Sequence, residues 1–520
     1  MTGPLGRHTT LAAATLALSL VACAIPVSEP QLHDPAHPPA RVDDRPLKVH
    51  LADGGLLVLR DWEVTPDGLR LRGLGERYDA RREPRGRSER VDLTLADVAL
   101  LETASPRSET SVSLGVFGTV AFFTSAITLY CTASPKSCFG SCPTFYVEGP
   151  GGAEPDRPQA EGFSESIARA LEARDVDALL VTRPAGTEVA VTMRNEALET
   201  HAVRRVELLA APTPGGGRVF ADGTGRLYPA TAIAAPLACR AEEGDCLEAV
   251  RAPGGADRAS TSDAADLAAR ETIELELPAV APGPSGLVIG ARQTLLSTYL
   301  FYQTMAFTGR RAGEFLASVE RGGPAAGRRA LGMARVLGGI DAAVAEGDGP
   351  WRTIGSFDEA GPIAGDARVL PFEAEGGGRL RARLTLARGH WRLDQVAIAR
   401  LGAPVAPLVL APLAAERAGR ADDAVRARLA AGDSHVVTQP GDAWRLLFRL
   451  PPGDGRYELF LASEGYYYEW MRQEWLAEED PQMALLAVAD PAAALRRLAP
   501  AYKAREDTLE RAFWDSRFRK

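Results

Sequence analysis

The chain has 520 residues, 46% of them hydrophobic and 24% charged, with a net charge of −9. That composition excludes a disordered chain and predicts two to four globular domains. The acidic balance excludes a broad nucleic-acid surface, and no nucleic-acid partner is expected.

The N-terminus reads as a targeting segment over residues 1–23. Arg7 and His8 precede the apolar run Leu11 to Leu20, and Leu20-Val21-Ala22-Cys23 matches a bacterial lipobox. A small-residue cleavage site just before a thiol predicts lipidation of Cys23, and several acyl chains together give stable anchoring. Ala24 in place of Asp favours the outer membrane by similarity to lipoproteins of double-membrane bacteria. Residues 24–46 hold Pro26, Pro30, Pro35, Pro38, Pro39 and Pro46 and read as an extended tether that lifts the body off the membrane.

Residues 47–105 alternate in short runs broken by Asp53-Gly54-Gly55 and Pro66-Asp67-Gly68. About five strands in so short a span predict a small antiparallel barrel of SH3-like type. The arginine-rich stretch 81–90 offers charge for anionic lipid headgroups or nucleic acid, with a solvated hairpin loop as the plainer reading because two glutamates dilute it.

Residues 106–147 are expected to hold an apolar helix and a cysteine cluster. Ser111 to Cys131 carries no charge, and Cys131, Cys138 and Cys142 follow in Cys-x6-Cys-x3-Cys spacing. The run is long enough to cross a bilayer. Its serines, threonines and glycines favour a helix that packs on the body or dips into the leaflet. Export permits disulfides. Cys239 and Cys246 close a short loop and form the expected pair, while Cys138 can pair with Cys142 or Cys131. A zinc site is disfavoured, because no histidine lies near these cysteines in sequence.

A first β-sandwich-like domain is expected over 148–290. Phe163 to Leu180 reads as an amphipathic helix, and 189–193 with 203–209 read as paired strands. Glu196, Glu199 and His201 lie between them as a metal or acid–base candidate, with a polar turn as the plainer reading. A helical segment follows over 291–348, led by the apolar stretch Thr294–Phe307 and continuing through 313–319 and 328–344. A second sandwich-like domain is expected over 349–462, with strict alternation at 380–386 and 391–398. His390 with Asp394, and Asp358, Glu359 and Asp366, are further candidates for acid–base work. Residues 463–520 read as a helical cap. Tyr466, Tyr467, Tyr468, Trp470 and Trp475 are its densest aromatic cluster and a candidate surface for stacking a sugar or a partner, with packing onto the preceding sandwich as the plainer reading.

The string Pro135 to Tyr146 (PKSCFGSCPTFY) resembles the signature of a family of uncharacterised bacterial envelope proteins. The resemblance recurs at 194–201, 389–394 and 465–471. It implies an envelope architecture and brings no catalytic residue, metal or cofactor with it. Gly-x-Ser-x-Gly, His-Glu-x-x-His, P-loop and dinucleotide strings are all missing, so no cofactor is expected. The expected protein is mainly β with helical additions. It is a non-catalytic envelope lipoprotein that binds a glycan or protein or serves a structural role, with a carboxylate- or metal-dependent hydrolase of envelope polymers as the alternative.

Overall fold

The computed structural model describes residues 27–41, 46–51, 55–79, 85–107, 142–149, 152–153, 155, 157–254, 257–358, 361–376, 378–470 and 478–509. The lipobox with Cys23, the apolar run 111–131, Cys131, Cys138 and Trp475 lie outside the described residues. No helix among the described residues is long and apolar enough to cross a membrane.

The fold is mainly β, as composition and alternation predict. Its first unit is one six-stranded antiparallel sheet built from β1 (Val27–His33), β2 (Leu47–Leu51), β3 (Leu56–Val64), β4 (Arg70–Tyr78), β5 (Glu89–Thr94) and β6 (Val98–Arg107). The strand order is β1-β6-β2-β3-β4-β5. Two expectations change here. Part of the predicted tether is strand β1, which pairs along β6 from Val27 opposite Arg107 to His33 opposite Leu101. The sheet also has an open strand order, not the closed ring of a barrel. Leu47, Val49, Leu57, Leu59, Trp62 and Leu71 bury its inner face. The alternate residues of β2 and β6 turn outward, and there Lys48 Nζ donates to Glu102 at 2.8 Å and His50 Nε2 to Glu102 at 3.0 Å. Burial works to raise the Glu102 carboxyl, but the Lys48 charge and the His50 ring overcome it and hold it at about 2. His50 stacks on Trp470 with ring centroids 3.2 Å apart, and Leu100, Leu198 and Trp470 form one apolar cluster. The sheet is joined to the rest of the molecule through this patch.

The remainder is a nested pair, not two consecutive sandwiches. The outer sandwich uses residues on both sides of a long insertion. Its first sheet pairs Glu188–Arg194 with Ala443–Arg449 and with Thr144–Val147. Its second sheet pairs Glu199–Pro212 with Arg456–Glu469, and Arg456–Glu469 with Ala173–Pro184. Phe145, Val191, Val206, Leu208, Leu446, Phe448, Leu459 and Leu461 fill the space between them. The strands at 188–194 and 199–212 are therefore not a hairpin. The chain crosses from one sheet to the other at Asn195–Leu198.

The inserted domain runs from Arg218 to Leu401. Five of its strands, Arg218–Ala221, Leu227–Ala234, Gly283–Gln293, Asp366–Ala374 and Trp391–Leu401, close into a small barrel, because Leu227–Ala234 also pairs with Trp391–Leu401. Phe220, Val288, Val369, Ala397 and Ala399 pack in one cluster. The neighbouring Leu287 and Ile289 face the other way, against Ile273 and Leu275 of a second sheet. Both faces of Gly283–Gln293 are thus covered, which accounts for its unbroken apolar run. In that second sheet Arg270–Leu277 alternates exposed and buried at every position, as its sequence predicts. Cys239 and Cys246 are joined by the expected disulfide.

Four further expectations are corrected. Phe163 to Leu180 is a single 3-10 turn, Arg169–Leu171, followed by the strand Ala173–Pro184. The helix expected over 328–344 ends at Leu337, and Ile340–Glu346 is a strand. Tyr466 to Tyr468 lie on the strand Arg456–Glu469 and not in a helical cap. Tyr467, Tyr468 and Trp470 are buried and Tyr466 is half-buried, so they pack the core as the plainer reading expects, and the candidate stacking surface is not offered. The helix expected over the apolar stretch Thr294–Phe307 is found as α1 (Leu296–Thr308). With α2 (Ala312–Ala330), α3 (Gly332–Leu337), α4 (Pro481–Ala489) and α5 (Pro491–Lys503) it forms a layer with its own core.

Candidate functional site

The crossover at 195–198 places the first candidate residues. Asn195 Nδ2 donates to the Glu199 carbonyl at 3.0 Å and to the Thr438 carbonyl at 3.3 Å, which pins the chain as it changes sheet. Glu196, Glu199 and His201 are all buried, but the structure sets Glu196 apart from the other two. The Tyr146 hydroxyl donates to Glu196 at 2.8 Å and Thr144 Oγ1 does so at 3.1 Å. His201 Nε2 donates to Glu199 at 3.0 Å. The Tyr302 hydroxyl of α1 donates to Glu469 and lies 3.3 Å from Glu199 Oε1. Glu199, His201, Tyr302 and Glu469 therefore form one buried polar group, and Glu196 belongs to another.

Glu199, Tyr302 and Tyr467 also line a cleft where the outer sandwich, the inserted domain and the helical layer meet. Its other walls are Ser164, Glu165 and Ile167 of the sandwich, Ser297, Thr298 and Phe301 of α1, Leu331 and Met333 near α3, and the loop Gly361–Ile363. The free volume is about 110 Å³. That accepts one small group or a few waters and falls short of the 300 Å³ or so of a drug-sized pocket.

Two more carboxylates line the cleft. Glu161 is buried and accepts the Ile363 amide at 3.2 Å. Gly361 has φ +69°, and a Cβ there would sit 1.3 Å from Glu161 Oε1, so only glycine lets the loop close over this carboxylate. Burial pushes the Glu161 carboxyl well above its usual range, and nearby Asp175 adds to the rise against the Ile363 amide and Arg292. Glu165 differs from the others, since its carboxyl makes no hydrogen bond among the described residues, although its main-chain carbonyl accepts the Ile167 amide at 3.0 Å. It is exposed overall, yet enough protein surrounds its carboxyl for burial to be the leading cause of an upward shift. Arg335 opposes that shift, while Asp175 and Asp358 reinforce it. Raised carboxyls in a cleft can hold or hand over a proton near neutral pH.

Sequence reasoning did not find Glu161 or Glu165. Both fall in Glu161-Gly-Phe-Ser-Glu165, which contains no motif, and the fold alone brings it against α1 and the 361–363 loop. Of the other candidates, Asp358 is exposed and near enough to Glu165 to raise its carboxyl, and the rest stay apart. Asp366 is held by Arg368 and accepts the Ala178 amide at 3.1 Å, a structural tie between the nested domains. Glu359 lies outside the described residues. His390 is buried against Trp391, and no hydrogen bond joins it to Asp394 among the described residues. Among the described residues no group of three or more His, Cys, Asp or Glu side chains is arranged to hold a metal ion.

His390 instead supplies a pH dependence. Burial first, and the Arg270 charge second, push its pKa down to about 3. The unfolded chain binds a proton near the ordinary value of 6.5 and the native state does not. Stability therefore falls as pH drops from 6.5 towards 3. Urea midpoints at pH 7, 5.5 and 4 should fall more steeply for wild type than for His390→Gln, and parallel declines would refute this origin.

No protein-family model matches the chain, and no curated protein matches it.

Proposed function

We propose that the protein is a lipid-anchored, non-catalytic binding protein of the bacterial cell envelope, which takes a small polar group of an envelope glycan or protein into the cleft at Glu165. The observation that carries this reading is the contrast within the cleft. Glu161 and Glu199 are already engaged in holding the fold, whereas the Glu165 carboxylate is the lining acid left to meet a ligand. The lipobox at Cys23 and the envelope-family resemblance support the location. The Cys239–Cys246 disulfide supports it too, since stable disulfides belong to exported chains.

One observation favours hydrolysis as a second reading, namely three carboxylates on one cleft, of which Glu161 and Glu165 are shifted towards the protonated form. Envelope glycan fragments titrated into the full-length protein separate the two. Binding with intact recovery of the ligand, weakened about tenfold in Glu165→Gln by loss of a charged hydrogen-bond partner, is the expected result. Cleaved fragments that disappear with Glu165→Gln would replace binding with hydrolysis. Binding unchanged by Glu165→Gln would remove the cleft from the account.

A further inference from the structure

The N-terminal sheet begins at Val27, four residues beyond Cys23. Four residues of extended chain span at most about 14 Å. A lipid on Cys23 would hold this sheet against the bilayer surface, because β1 is committed to pairing with β6 and cannot serve as a spacer. What the sheet presents there depends on its outer face.

Arg60 of β3 lies directly opposite Leu74 of β4, and Leu74 directly opposite Arg90 of β5. Residues opposed across neighbouring strands share a face. The intervening Leu57, Leu59 and Leu71 point into the sheet's core, so the row Arg60–Leu74–Arg90 is on the outside. All three residues are exposed, Leu74 at 41%, and Leu69 in the turn leading into β4 is exposed at 63%. At the β2–β6 end of the same face His50, held with Lys48 by Glu102, stacks on Trp470 of the body, whereas the β3–β5 end is open. Arg60, Arg87 and Arg90 make no ion pair among the described residues. Of the acidic groups beside them, Asp92 holds Arg70 and Arg72 and Glu76 accepts from the Tyr78 hydroxyl; Glu63 stands opposite Arg72, and Glu89 alternates to the other face from Arg90. Unpaired guanidinium groups flanking exposed leucines are the pattern that seats on anionic headgroups.

We infer that the outer face of β3–β5, centred on Arg60, Leu74 and Arg90, rests on an anionic phospholipid surface, with the arginines on phosphates and Leu69 and Leu74 at the acyl boundary. The inference relies on the proposed anchor to bring this face to the bilayer. The two are read separately on one sample.

The full-length protein is mixed with vesicles of phosphatidylcholine, with and without one third phosphatidylglycerol, carrying brominated acyl chains. Fluorescence of Leu74→Trp, taken as the difference from wild type, should be quenched on the anionic vesicles. Leu237→Trp, at an exposed position of the inserted domain, should not be. Arg60→Gln with Arg90→Gln should weaken the anionic preference by roughly fivefold per arginine, and raised salt should do the same. Missing quenching at Leu74→Trp, equal quenching on both vesicle types, or equal quenching at Leu237→Trp overturns the inference. The mass of the N-terminal peptide reports the lipid on Cys23, so a missing anchor and a missing face leave different records.

Discussion

Trp470→Ala should lower the free energy of unfolding by about 3–5 kcal/mol, the usual cost of removing a large core aromatic, and free the N-terminal sheet from the body. The side chain is 1% exposed, and its indole N–H donates to Thr200 Oγ1 at 2.9 Å. One face lies on His50, and Leu100 and Leu198 close the cluster. Truncation leaves a cavity, a Thr200 hydroxyl held only by its long 3.4 Å bond to Gln439, and an uncovered His50–Glu102–Lys48 group at once. Trp470→Phe should recover most of the packing but not the hydrogen bond, and so fall between the two. Urea unfolding gives the energy. Hydrogen exchange at Leu47–Leu51 and Leu100–Glu102 gives the release. A loss below about 1 kcal/mol, or unchanged exchange in those segments, would show that the sheet is held by other contacts.

The second large effect is expected in the inserted domain. Arg258 is 4% exposed, and its guanidinium donates to Glu271 at 2.8 Å and to Glu243 at 2.8 and 3.0 Å. Glu271 is itself buried and also accepts from the Ser260 hydroxyl. Both carboxylates raise the arginine pKa against the opposing pull of burial, so the cation stays charged in the interior. Glu271→Ala strands that charge with only the half-exposed Glu243, a loss of about 3–5 kcal/mol. Replacing both partners, Arg258→Met with Glu271→Leu, should cost far less, because the interior no longer contains an ion to solvate. Denaturant unfolding followed at Trp391 decides it. A double variant as unstable as the single one would mean that the pair contributes net stability and not only mutual neutralisation.

Much of the local structure was legible from side-chain period. Arg270–Leu277 and most of Leu380–Ala387 alternate because one face of each meets a core, and alternation is a local property; Trp391–Leu401 alternates only at its start, since both its faces are covered from Val396 to Ala399. Strand partnership is not local. Glu188–Arg194 and Glu199–Pro212 read as a hairpin, yet the four residues between them carry the chain from one sheet to the other. The same happens between Leu380–Ala387 and Trp391–Leu401. Nothing in the period of Leu459–Leu461 announces that its partner is Leu208–Ala210, so the insertion was invisible and two consecutive domains were expected in its place. Phe163 to Leu180 misled in a different way. Its charges recur at helical spacing, but Val176, Ala178 and the bulge after it with Leu180 at φ +55° follow a twisted strand. Tyr466 to Tyr468 signalled aromatic bulk correctly. Exposure was the part that could not be read, since it depends on what docks against the strand. The cleft shared this fate, for Glu161, Glu165 and Glu199 converge only after the insertion has folded.

The nesting also dictates an order of events during synthesis. Glu199–Pro212 leaves the ribosome about 250 residues before its partner Arg456–Glu469. Until that partner arrives, the first half of the outer sandwich has apolar faces and bare backbone edges with nothing to pair against. The inserted domain has its strands contiguous in the chain and can condense first, which brings Pro212 and Leu408 together and shortens the loop that the sandwich must close. Nascent chains stopped between Leu401 and Arg456 would then carry a finished domain flanked by a sticky half-sheet. That is the stage at which this protein would depend on a holding chaperone or be lost to aggregation.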